Sequence, residues 1–420
     1  MKHRLLLTLA VALAAISSLA ASTRYAGADI SLLPEYEEAG ALYLDYNGAP
    51  IQGSALDYFV SQGLEMMRIR LFVNPANYNG PDKDPNACQS LDYIIPICKR
   101  IKDAGVPLML DFHYSDTWAD PAKQWTPTDW VGLNDEQLYQ KIYDYTRETL
   151  ETLAAEGVKP DFIQTGNEIS YGMLWGAWNA PASSLKKCYS NSDANWPRFI
   201  KLLKQAGKAC REVCPDAAIV LHTERVPNIP VLRNFYNRMR EGEVDYDIIG
   251  LSYYPYFHGP LSNLKAALDN MVANFPDKQI MLVEAGYPYK WEVPGTTYDY
   301  SSVYPYSDAG QHAFTAALVD MAKSYANVTA IIWWWAEYNA YRTNLSGWYN
   351  APLFDSLNGR ACTALQALAL FGDKAGVEAV TADPAGDDGL GPWYNLMGQP
   401  VTDTAAPGLY FRNGRKLLVK

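Results

Sequence analysis

The chain has 420 residues, 49% of them hydrophobic, and carries a formal charge of −11. Its 35 lysines and arginines are dispersed among 46 acidic residues, so no basic stripe exists to neutralise phosphates, and nucleic acid is excluded as a partner. Twelve Trp and 30 Tyr are many for this length: amphipathic rings fill a core or offer flat faces to hydroxylated ligands, and for any single ring the core is the default.

In chain order, Lys2 and Arg4 precede a mostly apolar run from Leu5 to Ala15 and then the small residues "AISSLAAS". Residues 1–21 therefore read as a secretory signal peptide cleaved near Ala20, and the mature protein is expected in the periplasm, at the cell surface or outside the cell. The run is too short to span a bilayer and no later segment qualifies, so no membrane span is expected. Short apolar runs then recur at 25–31, 66–73, 106–113, 161–166, 218–222, 248–254, 280–285 and 330–335, each with the composition of a buried strand. Between them lie helical segments such as 135–157, whose apolar residues return every three or four positions before Gly157, and 198–215, stopped by Pro215. Eight strands alternating with helices predict an α/β fold, a (β/α)8 TIM barrel over 22–376.

A helical segment at 361–376 is followed by a Gly/Pro/Asp-rich linker at 383–392. The segments "WYNLMGQPV" and "GLYFRNGRKLLVK" then predict two short strands around a turn, so 377–420 forms a β-rich tail, either a sorting element or a small structural appendage. The six cysteines would meet an oxidising compartment, where disulfides can form; buried free thiols are the alternative. Cys210 and Cys214 are one helical turn apart without nearby histidines, which does not make a zinc site.

A barrel of this kind builds its active site where strands end. Arg68, Arg70, His113, Asn167, Glu168, His222, Tyr253, Tyr254, Glu284 and Trp333 to Trp335 all stand at or near such ends. Two glutamates on strands four and seven, flanked by tryptophans, suggest glycoside hydrolysis, with one carboxylic acid protonating the leaving oxygen and a second carboxylate attacking carbon or activating water. The alternative for each glutamate is a buried ion pair with Arg68 or Arg70. The separation of the two carboxyl groups decides between retention and inversion, and sequence does not measure it.

The stretches "GADIS", "RIRLFVNP", "LDFHYSDTWADPAKQWTP", "QTGNEISYGMLW", "IIGLSYYPYFHG" and "VEAGYP" resemble the motifs of the family 53 glycoside hydrolases, the endo-β-1,4-galactanases. The resemblance runs from about Gly27 to Trp335, and "HYSDTWADPAKQ" is its most specific part. It implies retaining endo-hydrolysis of β-1,4-galactan or type I arabinogalactan, a pectin component, without a cofactor or metal. By the same resemblance Glu168 is the acid/base, Glu284 the nucleophile, Asn167 the holder of the sugar 2-hydroxyl, and Arg68, or Arg70 in the alternative register of "RIR", the support of the nucleophile, with Arg68 preferred. His113, Tyr254 and Trp335 are implied to line the central subsite, with Asp116 and Trp118 in the adjoining motif. After strand eight the family reads "YWEP", where this chain has "WWWAEYNAY". Some relatives hold calcium after strand seven; the loop 290–308 has few carboxylates, so no calcium site is expected, and its tyrosines with Trp291 either extend the cleft or pack the loop. Two rivals remain at this point: another retaining β-glycanase (a mannanase, xylanase or cellulase) and a catalytically silent glycan-binding protein.

Overall fold

The eight apolar runs form eight parallel strands that close on one another in chain order, β1 against both β2 and β8. They are β1 (Tyr25–Asp29), β2 (Met66–Leu71), β3 (Leu108–Phe112), β4 (Phe162–Thr165), β5 (Ala218–Thr223), β6 (Ile248–Tyr253), β7 (Gln279–Ala285) and β8 (Val328–Trp333). This computed structural model describes residues 23–180, 186–345, 347–348 and 350–373, and the strand residues of the tail. The expected signal peptide and the linker 383–392 lie outside the described residues.

Helix Asp135–Ala155 begins where the sequence reading put it because Asn134 and Gln137 form a reciprocal capping box, each side chain accepting the other's backbone N–H. It stops before Gly157, whose φ of +79° turns the chain. One face, including Leu138, Ile142, Leu150 and Leu153, is buried, each such side chain contributing about 1.5–3 kcal/mol. The helix expected at 361–376 is a single short one, Ala364–Ala369. The chain leaves it early to dock on β1: Arg24 N–H donates to Asp373 Oδ2 at 2.8 Å, and Asp373 N–H to the Arg24 carbonyl at 3.2 Å.

The tail holds four strands where two were expected: β9 (Trp393–Tyr394), β10 (Pro400–Val401), β11 (Gly408–Arg412) and β12 (Arg415–Val419), an antiparallel sheet in the order β10-β9-β11-β12. All six cysteines are unpaired, five of them buried and Cys88 partly so, which is the second of the two alternatives, buried free thiols.

Period-two alternation stratifies the barrel interior. Met66, Met109, Phe162, Val220, Ile248, Met281, Val283, Ala330 and Ile332 form a buried apolar plug. Gly27 belongs beside it, since a Cβ there would meet the Met66 carbonyl oxygen at 2.8 Å. Two residues further along their strands come Asp29, Arg68, Asp111, Gln164 and His222, joined on β6 by Ser252, two residues past Gly250, every one of them fully buried. Polar groups at that depth persist only when paired, and their pairing positions the site.

Strand β7 breaks the alternation. Leu251 of β6 faces Leu282, but Ser252 faces Glu284, and on the other side Leu282 and Ala285 face Ile331 and Trp333. One extra residue is thus inserted between Leu282 and Ala285, a bulge that lets both Val283 and Glu284 face inward.

Candidate active site

Arg68, fully buried, sits at the centre of an ionic net. Its Nη1 donates to Asp29 Oδ2 at 2.8 Å, and its Nη2 meets Asp111 Oδ2 at 2.8 Å, Asn167 Oδ1 at 2.9 Å and Glu284 Oε1 at 3.0 Å. A planar fork suits several planar acceptors at once, which a lysine could not match. Arg70 is turned away from Glu284: it donates to Asp29 Oδ1 at 3.1 Å and lies over the rings of Trp118 and Trp335, 4.7 and 5.0 Å from their centroids.

Glu284 is 5% exposed, and its Oε2 accepts the Tyr254 hydroxyl at 2.8 Å. Glu168 comes after β4 through Gly166, at φ +113°, and itself has φ +47°, a left-handed conformation that costs a non-glycine residue on the order of 1 kcal/mol. The surroundings hold it there. Gln124 Nε2 donates to the Asn167 carbonyl at 2.8 Å, Asn167 Nδ2 to the Ala119 carbonyl at 2.8 Å, and Ile169 N–H to the His222 carbonyl at 3.0 Å. The Ser252 hydroxyl lies between Glu168 Oε1, at 2.7 Å, and His222 Nε2, at 2.8 Å.

One oxygen of Glu168, one of Glu284 and a ring nitrogen of His222 all lie within 4.8 Å of one another, and these are the residues that could hold a metal ion among those described. A cation there would have to compete with Arg68 for Glu284 and with Ser252 for both His222 and Glu168. Oxygens this close suit the short carboxyl separation of a retaining glycosidase, about 5–5.5 Å, better than the gap of about 6.5–9.5 Å that leaves room for water in an inverting one.

Burial pushes the Glu284 carboxyl up to about 7, opposed by the Arg68 charge and the Tyr254 hydroxyl. Burial pushes Glu168 well above the ordinary glutamate value too; the Glu284 and Glu224 charges add to it, and the Ser252 hydrogen bond opposes it. Arg68 and the Tyr254 hydroxyl favour the ionised form of Glu284, whereas the like charges of Glu284 and Glu224 oppose ionisation of Glu168, which suits the first to act as carboxylate and the second to carry the proton. His222 is held neutral by burial and by the Arg68 charge.

A Ser252→Ala variant tests this ordering. A hydrogen bond to the ionised carboxylate favours that form, so removing it raises the Glu168 pKa further. If Glu168 acts protonated, activity is lost as pH rises through that pKa, and the alkaline limb of kcat/KM moves to higher pH while kcat falls about tenfold. An alkaline limb that stays in place or moves down contradicts the assignment.

His113, Trp118, Asn167, Glu168, Tyr254 and Glu284 line one cavity of about 380 Å³, with Arg68 in contact with Glu284 beneath it. His113 is fixed by Asp111, 3.1 Å from its Nε2, and Trp118 by its indole N–H on Asp84 Oδ2 at 2.9 Å. Two residues named from the sequence fall elsewhere. Trp335 is buried outside the cavity lining, its indole N–H 3.2 Å from the Tyr36 hydroxyl; the inward alternation of β8 through Ile332 brings Trp334 to the cleft instead. Asp116 clamps a loop, accepting Asn74 N–H at 3.0 Å and Thr128 N–H at 2.7 Å, and lines a separate pocket with Trp125 and Trp178.

The lining also includes Trp334, named from the sequence only as one of the strand-eight tryptophans, and Glu224, Phe257 and Trp348, which were not singled out. Glu224 stands one residue past β5, so the strand-end rule could have found it; Trp348 comes from a loop with no such mark. The loop 290–308 contributes nothing to this lining: Tyr300 packs edge-on against Tyr304, which does the same against Tyr287. Packing is thus what its tyrosines do.

Comparison with known proteins adds sequence relationship to this geometry. The family model described as glycosyl hydrolase family 53 matches residues 25–370. An arabinogalactan endo-β-1,4-galactanase of Cellvibrio japonicus is 31% identical over 88% of this chain and 97% of its own length. A probable arabinogalactan endo-β-1,4-galactanase A of Aspergillus tubingensis is 32% identical over 75% of this chain and 85% of its own. Among solved structures, a GH53 catalytic domain of Ignisphaera aggregans superimposes with a TM-score of 0.72 at 28% identity, covering 85% of this chain and 98% of that one.

Proposed function

The chain belongs to glycosyl hydrolase family 53, and on that premise we propose that it hydrolyses internal β-1,4-galactosidic bonds of galactan and type I arabinogalactan with retention of configuration. The observation that carries the mechanism is the close pair Glu168 and Glu284, with Arg68 on the second and not the first. Glu284 attacks the anomeric carbon as a carboxylate while Glu168 gives its proton to the departing glycosidic oxygen, leaving a covalent galactosyl ester and a shortened chain. Glu168, now ionised, takes a proton from water, the water oxygen displaces Glu284 from the anomeric carbon, and the product leaves as the β-anomer.

Arg68 and Tyr254 supply the field that keeps Glu284 ionised in a buried place, and Asn167, held by Arg68 and Ala119, is set for the sugar 2-hydroxyl. The tryptophans of the lining offer the flat faces on which galactosyl rings stack. The N-terminal sequence supports export, which would bring the enzyme to pectic polysaccharide outside the cytoplasm.

Incubating the mature protein with linear β-1,4-galactan should give intermediate oligosaccharides before small products dominate, followed by size-resolved chromatography. Intact galactan together with shortened mannan, xylan or cellulose would replace the substrate; binding without shortening would replace the activity.

A further inference from the structure

The proposed chemistry uses two carboxyl groups, and the cavity lining holds two more, Asp120, whose Oδ1 accepts the Ala122 and Lys123 N–H groups, and Glu224. Glu224 is 5% exposed. Its Oε1 accepts the Ser170 hydroxyl at 2.5 Å, whereas its Oε2 is buried and meets no donor. Arg225 approaches Oε1 only to 3.5 Å and is engaged by Tyr171, whose hydroxyl accepts from its Nη2 at 2.7 Å and whose ring it overlies at 4.9 Å. Ser170 and Arg225 thus compensate one oxygen of Glu224 and leave the other unpaired.

The barrel order fixes what lies on each side of Glu168. Strand β3, followed by His113 and Trp118, neighbours β4 on one side, and β5, followed by Glu224, neighbours it on the other. With the attacked sugar between Glu284 and the Asn167/His113 wall, the unit whose oxygen Glu168 protonates extends toward β5 and β6. Glu224, Phe257 and His258 line the cavity there, and Phe257 is 39% exposed, leaving a ring face open.

We propose that Glu224 binds a hydroxyl of the leaving-group galactosyl unit at the cavity wall it lines, with Phe257 as the apolar platform beside it, so that the pair selects a sugar as leaving group. This rests on the galactanase reading above. Carboxylate-to-hydroxyl bonds are charge-assisted and directional, which suits discrimination of a sugar from a flat aromatic aglycone.

The test compares kcat/KM on linear galactan with kcat/KM on 4-nitrophenyl β-1,4-galactobioside, whose leaving group has no sugar hydroxyls. In Glu224→Gln the ratio of galactan to aryl glycoside falls tenfold or more relative to the parent, and Glu224→Ala, which also empties the site, shows at least the same fall. A merely structural role lowers both substrates together, so a ratio that falls less than tenfold in whichever of the two variants folds overturns the proposal. If the parent enzyme leaves galactan intact while cleaving another glycan, the galactanase reading fails and this assignment falls with it, a result distinct from an unchanged ratio.

Discussion

Glu284→Ala is expected to lower kcat/KM on galactan by on the order of 10⁴-fold while leaving the fold intact. The stability half of that statement follows from charge. Around Arg68 and Arg70 stand Asp29, Asp111 and Glu284, three carboxylates facing two guanidinium groups in the buried net. Removing Glu284 leaves two against two, and Arg68 keeps Asp29 and Asp111 at 2.8 Å each. The thermal midpoint should therefore hold or rise, as happens when a group is retained for chemistry at the expense of stability. The roles of the two glutamates separate on adding azide with an activated aryl galactobioside. In Glu284→Ala the anion takes the nucleophile's place and yields an α-galactosyl azide; in Glu168→Ala it attacks the covalent ester and yields the β-anomer. Parental activity in Glu284→Ala, or a β-azide from it, would sink the assignment.

Arg68→Met should do the opposite to stability. Asp29 and Asp111 are both fully buried, and breaking a buried pair by removing one partner costs about 3–5 kcal/mol. Asp111 would retain Gln164 Nε2 at 2.5 Å and His113 at 3.1 Å, and Asp29 would retain Arg70 at 3.1 Å and Ser31 Oγ at 2.6 Å, so the chain should still fold. Activity suffers through Glu284. The Arg68 charge is what holds the Glu284 pKa down against burial, so its loss raises that pKa. Glu284 acts ionised, and activity appears as pH rises through its pKa, so the acid limb of kcat/KM moves to higher pH and activity near neutrality collapses. Denaturant unfolding and a pH profile check the two halves separately. An acid limb unmoved in a folded Arg68→Met protein would show that Glu284 owes its charge to something else, and Arg68→Lys should recover only part of the loss because one ammonium cannot span three carboxylates.

The barrel was legible in the sequence because its signals are local and repeated. A strand buried on both faces reads as a short apolar run, and each observed strand starts and ends within two residues of its expected position. The helix at 135 was legible for the same reason, since the three-to-four residue spacing of its apolar positions and its terminal glycine are local signals. What failed was non-local or marginal. The helix expected at 361–376 stops after Ala369 because Asp373 finds its partners in Arg24, at the far end of the chain. Whether the cysteines pair was left open by the sequence, because it depends on which of them meet, and these six do not.

At the site, the sequence by itself determined the catalytic candidates: a glutamate after strand four and another at the end of strand seven, with an arginine on strand two, because strand ends are countable along the chain. Only the tertiary structure decided which side chains share the cleft. Alternation alone would have turned Glu284 out of the barrel, and one extra residue in β7 turns it in. Likewise Trp334 lines the cavity while Trp335 packs behind it, and Asp116 is consumed by two backbone N–H groups. Glu224 acquires its meaning only from lying across Glu168 from His113. The physical reason is common to all four. Residue type and spacing along a chain fix which chemistry is available, whereas facing, burial and pairing depend on register between strands that are distant in sequence.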